Sequence, residues 1–146
     1  MSRITKISSQ GSERTRLLKV VVYAAQQLIE RENLDDESRD IVAYIILSLD
    51  RLIEGINVTI TAWERRDYWI KVEKFKASWM WVWRIRKLFS DALIVKSMNN
   101  VRAATQLLLT EIPVITPHRR PNIPRPWLGA WEILSNKTPK RDEPGS

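Results

Sequence analysis

The residues best able to do chemistry are tryptophans interleaved with cations around residues 77–89, ASWMWVWRIRKLF. Indole rings stack on nucleobases, and lysine and arginine pair with phosphates. At 100° per residue, one face of a helix through this region alternates the two kinds of side chain: Arg65, Trp69, Lys76, Met80, Trp83 and Lys87, with Arg66 and Arg84 at its edge. This pattern predicts a nucleic-acid-binding face. The alternatives are surface cation–π packing and a protein-binding face.

Little in the sequence is suited to catalysis. His118 is the only histidine and has no neighbouring carboxylate in the sequence, and the absence of cysteine excludes thiolate nucleophiles and thiolate metal sites. The carboxylate pairs Asp36–Asp40 and Asp50–Glu54 lack the Glu-x-x-His motifs of metal-binding bundles, so we interpret them as a solvated acidic face. With only four glycines, no phosphate-binding loop is found. We therefore expect no enzyme activity, no metal site and no cofactor.

The net charge of +7 is unevenly distributed along the chain. Residues 35–54 carry six acids against two arginines, whereas the rest of the chain is basic, so we expect an acidic side and a basic side. A basic surface favours an anionic partner, most often nucleic acid, although solvation alone also explains it. The C-terminal cations Arg119, Arg120 and Arg125 are expected to contribute to nucleic-acid binding, with His118 as an additional hydrogen-bond donor.

Apolar residues recur at spacings of three and four, so we predict an all-α bundle of about four helices. The first covers about 12–32. The second follows a cap at Asp35 or Asp36 and could end at Gly55. The β-branched segment INVTITAW is interpreted as helix or a short junction, because the chain offers no second strand to pair with it.

The third helix is expected to be the longest and the most central, and to end near Val95. Its core stripe is Tyr68, Val72, Phe75, Trp79, Val82, Phe89 and Leu93. Arg86 interrupts this stripe and must reach solvent or an acid. A second apolar line contains Trp63, Ile70, Ala77, Trp81, Leu88 and Ala92. One amphipathic helix needs a single stripe to face one core. The second line therefore predicts self-association or a protein partner, through Trp63, Ile70, Trp81 and Leu88.

A fourth helix over about 100–112, capped by Asn99 or Asn100, completes a bundle domain of residues 1–112. Pro113 ends this helix. Residues 113–146 hold all seven prolines and form a second unit, a basic and extended segment. We expect this extension to dock on the bundle through Trp127 and Trp131 and to end in a free tail.

The basic helix WERRDYWIKVEKFKASWMWVWRIRKLF, in a small cysteine-free helical chain, resembles the small helical subunits of CRISPR effector complexes over residues 12–112. Those subunits line a ribonucleoprotein filament and contact nucleic acid through basic faces, so the resemblance implies an RNA-binding role in antiviral defence. The chain also resembles, in kind, the basic four-helix accessory proteins of diversity-generating retroelements. Those form ring oligomers and bind a reverse transcriptase and RNA. The segment PHRRPNIPRPWLGAW belongs to neither pattern.

The leading expectation is a non-enzymatic subunit of a larger ribonucleoprotein assembly that binds single-stranded nucleic acid, with RNA favoured over DNA. The alternative is a protein–protein adaptor. The N-terminal residues lack the apolar stretch of a signal peptide, and no segment approaches the roughly 18 apolar residues of a membrane span. We therefore expect a cytoplasmic protein with no membrane partner. A membrane-surface helix is disfavoured because cations and indoles share one face.

Overall fold

The computed structural model describes the backbone of residues 3–112 and 125–137, and the side chains of residues 10–112 and 125–137. Five helices occur in these ranges: α1 (Arg3–Ile29), α2 (Asp36–Glu64), α3 (Trp69–Ile94), α4 (Met98–Glu111) and α5 (Ala130–Lys137). The described ranges contain no strand. The prediction of an all-α helical bundle is therefore confirmed.

The centre of the bundle is α2 and not the third helix, so that part of the prediction was wrong. α2 has 29 residues against 26 for α3, and it packs against α1, α3 and α5. Gly55 does not end α2, because it is buried in the middle of the helix, where its missing side chain leaves room for the amide of Gln10 on α1. The INVTITAW segment continues the helix, with Ile56 and Thr59 buried.

The position at which α2 ends shows that Trp63, Arg65 and Arg66 do not belong to the third helix, to which the sequence analysis assigned them. The chain turns at residues 65–68, where Asp67 adopts a left-handed φ of 60° and the N–H of Tyr68 donates to the carbonyl of Trp63 at 3.0 Å. Trp63 therefore belongs to α2, and Arg65 and Arg66 lie in the turn. A helical wheel that continued through this turn placed all three wrongly on α3, because the turn interrupts the 100° spacing.

Side-chain caps set the starts of α2 and α4. The carboxylate of Asp35 accepts a hydrogen bond from the backbone N–H of Ser38 at 2.8 Å, which lowers the pKa of Asp35 and confirms one of the two predicted caps. Neither Asn99 nor Asn100 caps α4. The extended residue Ser97 does so, and its Oγ accepts from the N–H of Asn100 at 3.1 Å.

The C-terminal segment, residues 125–137, packs against the bundle. Trp127 and Leu134 are buried, Trp131 is half-buried against the core, and Trp127 packs on Tyr23 of α1. Asp40 accepts hydrogen bonds from the backbone N–H groups of Gly129 at 3.1 Å and Trp131 at 2.9 Å. A carboxylate on α2 thus satisfies two N–H groups at the start of α5.

The interpretation of the acidic residues of α2 as a solvated face was therefore only partly correct. Asp36 remains exposed, but Asp40 holds α5, and Asp50 accepts from Nε of Arg86 at 2.7 Å. Arg86, which interrupts the core stripe of α3, thus finds an acid across the interface between α2 and α3. Carboxylates on a central helix meet partners on the helices that cover it, which a single-helix wheel cannot show.

Candidate nucleic-acid interface

Among the described helices, α3 packs mainly against α2 and α4, and one of its sides is left open. Trp69, Met80 and Trp83 are exposed on this side, the two indoles by 55% and 37%, together with the exposed side chains of Lys76 and Lys87. We call these five residues the α3 outer face. They share one face at 100° per residue, and the helical rise from Trp69 to Trp83 is about 21 Å along the axis. The sequence-predicted alternation of indoles and cations is therefore an exposed surface.

Two cations at this surface already have acidic partners. Nζ of Lys87 lies 3.0 Å from Asp91, and Nη2 of Arg84 lies 3.3 Å from Glu111 on α4. Both ion pairs are solvent-exposed, so each contributes only about 0–1 kcal/mol and can exchange for a phosphate at little cost. The carboxylate of Glu73 lies four residues beyond Trp69 and adds a further acid to this side. The net positive charge of the surface is consequently small.

The other two tryptophans of residues 77–89 serve packing. Trp81 is only 9% exposed and belongs to the core, and Trp79 stacks on it with ring centroids 6.1 Å apart. Phe75 contacts Trp79 and also meets Trp63 edge-on, at 5.1 Å. These four rings form one aromatic cluster between α2 and α3.

This packing buries part of the predicted partner interface, which consists of Trp63, Ile70, Trp81 and Leu88. Trp81 is buried and Trp63 is half-buried under Lys71, whose Nζ lies 4.8 Å from the indole centroid. Only Ile70 and Leu88 of that interface are exposed. The second apolar stripe is therefore largely core at Trp81 and Ala92, and its open part is a narrow edge beside the α3 outer face.

Sequence reasoning missed Arg14, which lies against the aromatic cluster. Its guanidinium carbon is 5.1 Å from the ring of Phe75 and 5.8 Å from that of Trp79, and Nη1 donates to Oγ1 of Thr59 at 3.3 Å. Burial lowers the pKa of Arg14. Its position in the sequence could have indicated this contact. Arg14 lies three residues before the core residue Leu17, so both residues lie on the buried side of α1.

The remaining predicted cations divide between the turn and the C-terminal segment. Arg65 and Arg66 are exposed just before α3, next to Trp69 in sequence. Arg125 donates two hydrogen bonds to Glu37, at 2.9 and 2.8 Å, and so holds the C-terminal segment on α2. Arg119, Arg120 and His118 lie outside the described residues.

The helices described here offer neither a metal cluster nor a membrane span. Across residues 3–112 and 125–137, no group of three or more His, Asp or Glu side chains could hold a metal ion. Within the same ranges, no helix is both long enough and apolar enough to cross a bilayer.

Comparison of the chain with protein-family models, with curated proteins and with solved structures found no match.

Proposed function

We propose that this chain is a non-enzymatic helical subunit that binds single-stranded nucleic acid, with RNA favoured over DNA, along the α3 outer face. The observation that carries the proposal is the exposure of Trp69 and Trp83 on the same face as Lys76 and Lys87. Aromatic rings that accept stacked bases, set beside cations that follow the backbone, are the usual means of binding a single strand.

The dimensions of the face suit a short stretch of nucleic acid. A span of about 21 Å along the helix corresponds to about six nucleotides at the 3.4 Å rise of one stacked strand. Because α3 is a continuous helix packed on α2 and α4, the backbone that carries these rings and cations is already ordered before a ligand arrives. The backbone therefore loses little conformational entropy on binding.

We propose further that the protein acts in the cytoplasm as part of a larger ribonucleoprotein assembly. Support comes from the resemblance of the basic helix to the small helical subunits of CRISPR effector complexes. The low net charge of the α3 outer face also favours an assembly in which other subunits add phosphate contacts.

The direct test is fluorescence anisotropy with labelled single strands, U-rich RNA and T-rich DNA, at a series of salt concentrations from about 50 mM upward. Trp83→Ala should weaken binding by about 1–3 kcal/mol and leave the salt dependence unchanged, because it removes stacking and no charge. Trp83→Phe should recover part of the loss.

The charge variant should behave differently. Lys76→Ala combined with Lys87→Ala should reduce the slope of log affinity against log salt by about 1.4, at about 0.7 per lost phosphate contact on a single strand. Lys137→Ala, at the exposed end of α5, is the matched control and should leave the slope unchanged. A wild-type protein that binds neither strand even at about 50 mM salt contradicts the proposal.

A second candidate, a protein–protein adaptor, is supported by the exposed apolar edge of α3. Ile70 and Leu88 lie on one side of the helix, Val95 follows its last residue, and all three are exposed. Size-exclusion chromatography with light scattering tests it. Under the adaptor function, the protein self-associates or copurifies with a partner such as a reverse transcriptase, and Leu88→Ser abolishes the association. A monomer that binds RNA favours the first proposal.

A further inference from the structure

A groove of about 250 Å³ lies between α1, α2 and the C-terminal segment, away from the residues of the α3 outer face. Arg16 and Val20 line it from α1, Tyr44 and Arg51 from α2, and Leu128 and Ile133 from the C-terminal segment. The groove shares no residue with the α3 outer face.

One end of the groove carries an excess of positive charge. Glu13 accepts two hydrogen bonds from Arg16, at 3.0 and 3.1 Å, and one from Arg51, at 2.8 Å. A single carboxylate therefore serves two guanidinium groups, and both arginine side chains are more than half exposed. Their remaining N–H groups can donate hydrogen bonds to an anion, because each guanidinium has five donors.

Polar groups on either side of Arg51 restrict where an anion can lie. Tyr44 also lines the groove, and burial raises the pKa of Tyr44, so the phenol stays a neutral hydrogen-bond donor. Beyond Arg51 is a second cavity that includes Glu13 and Glu54. Its carboxylates repel an anion, so the favourable position is on the side of Tyr44 and the C-terminal segment.

The other end of the groove is apolar and exposed to solvent. Leu128 is 54% and Ile133 is 56% exposed at its rim, although α5 buries its neighbouring residues Ala130 and Leu134. The half-buried Val20 continues the same apolar surface. Large apolar side chains around a concave surface, next to a cationic end, are complementary to a molecule with one apolar and one anionic part.

We propose that this groove binds a small amphiphilic anion. Its carboxylate or phosphate head pairs with Arg16 and Arg51, and its apolar body lies against Val20, Leu128 and Ile133. At roughly 25–30 Å³ for each non-hydrogen atom, a groove of about 250 Å³ accommodates about ten such atoms, which corresponds to a chain of about six carbons and its head group. Because the C-terminal segment forms one wall, the ligand also strengthens the docking of α5.

The test is a thermal-unfolding and calorimetric titration of the full chain with hexanoate, hexyl phosphate, hexanol, hexylammonium and inorganic phosphate, all below their micelle concentrations. Hexanoate or hexyl phosphate should bind and raise the unfolding temperature. Hexanol and hexylammonium lack the anionic head, and inorganic phosphate lacks the apolar body, so each should bind at least about tenfold more weakly. The stronger of the two anions identifies the head group. Binding of hexanol as tight as that of the anions overturns the proposal, as does absence of binding by both anions at about 10 mM.

Three single variants locate the site. Arg51→Gln should weaken binding of the better anion by about tenfold or more and leave hexanol unaffected, because a neutral amide replaces one cation. Ile133→Ser should weaken both. Arg66→Gln, in the exposed turn before α3, is the matched control and should change neither. Both residues in the groove are exposed, so the variants should fold normally, as unligated unfolding temperatures will verify. Full affinity in a folded Arg51→Gln protein contradicts the assignment.

Discussion

The carboxylate of Glu37 is expected to make the docking of the C-terminal segment dependent on pH. Besides the two hydrogen bonds from Arg125, it accepts one from the indole Nε1 of Trp127 at 2.9 Å. These contacts, with that of Arg125 the largest, lower the pKa of Glu37 from 4.5 to about 2. Glu37→Gln retains the shape of the side chain and removes its charge, so it isolates the electrostatic part of the contact.

The magnitude follows from the pKa and from exposure. A fall from 4.5 to about 2 corresponds to an upper limit of about 3.4 kcal/mol, at 1.36 kcal/mol per pH unit. The side chain of Arg125 is 57% exposed, so solvent screens much of this interaction. The bond to the buried indole is screened less. We therefore expect about 1–2 kcal/mol in favour of the wild type at neutral pH.

The sign of the pH dependence follows from the lowered pKa. Because the folded protein holds Glu37 ionised more strongly than the unfolded chain does, this stabilisation is fully present above pH 4.5 and is lost as the pH falls through about 2. Urea unfolding followed by circular dichroism, from pH 7.5 to pH 2.5, should show a difference between wild type and Glu37→Gln that shrinks below pH 4.5. Glu32→Gln, an exposed carboxylate in the loop before α2, is the control. A difference that stays constant down to pH 2.5 refutes this account of Glu37.

Three further variants test the packing of the bundle. Phe89→Ala should lower the free energy of unfolding by about 3–5 kcal/mol, measured in urea, because the ring is completely buried; a loss below 1 kcal/mol would show that the core is not packed as described. Gly55→Ala should raise it by about 0.5–1 kcal/mol, since the new methyl group meets only the flexible amide of Gln10 and helix propensity improves; destabilisation would mean that this amide cannot move. Asp40→Ala should cost about 0.5–2 kcal/mol and speed hydrogen exchange at the amide of Trp131, and unchanged exchange there would exclude the cap.

Local features of the bundle were predictable from sequence because they depend on neighbours a few residues apart. The apolar spacing of three and four predicted helices, and Asp35 was one of the two residues predicted to cap α2. The α3 outer face was predictable for the same reason, since Trp69 and Trp83 lie four helical turns apart on one side.

The boundaries of α2 were predicted less well, because two packing interactions override local preference. Glycine is a common helix terminator, yet Gly55 continues the helix where α1 approaches closely. The β-branched residues that follow it are stabilised as helix by burial and not by propensity. The turn after α2 lies at Asp67 and not at Gly55. Trp63 therefore belongs to α2, although the sequence analysis assigned it to the third helix.

Contacts between residues far apart in the chain were beyond sequence reasoning altogether. The aromatic environment of Arg14 and the pair between Glu37 and Arg125 join residues separated by tens of positions, and no spacing rule brings them together. Both involve charged side chains, which a pattern analysis assigns to solvent unless a partner is known.

The sequence by itself determined that this protein is helical and that indoles and cations alternate along one helix, because both properties follow from composition and a 3.6-residue period. Only the tertiary structure decided that Trp81 belongs to the core and not to an exposed partner line. Trp81 and Trp83 are two residues apart and chemically identical, yet they point in directions about 200° apart on the helix. Trp81 is 9% exposed and Trp83 is 37% exposed, because α2 and α4 cover one side of α3 and leave the other open.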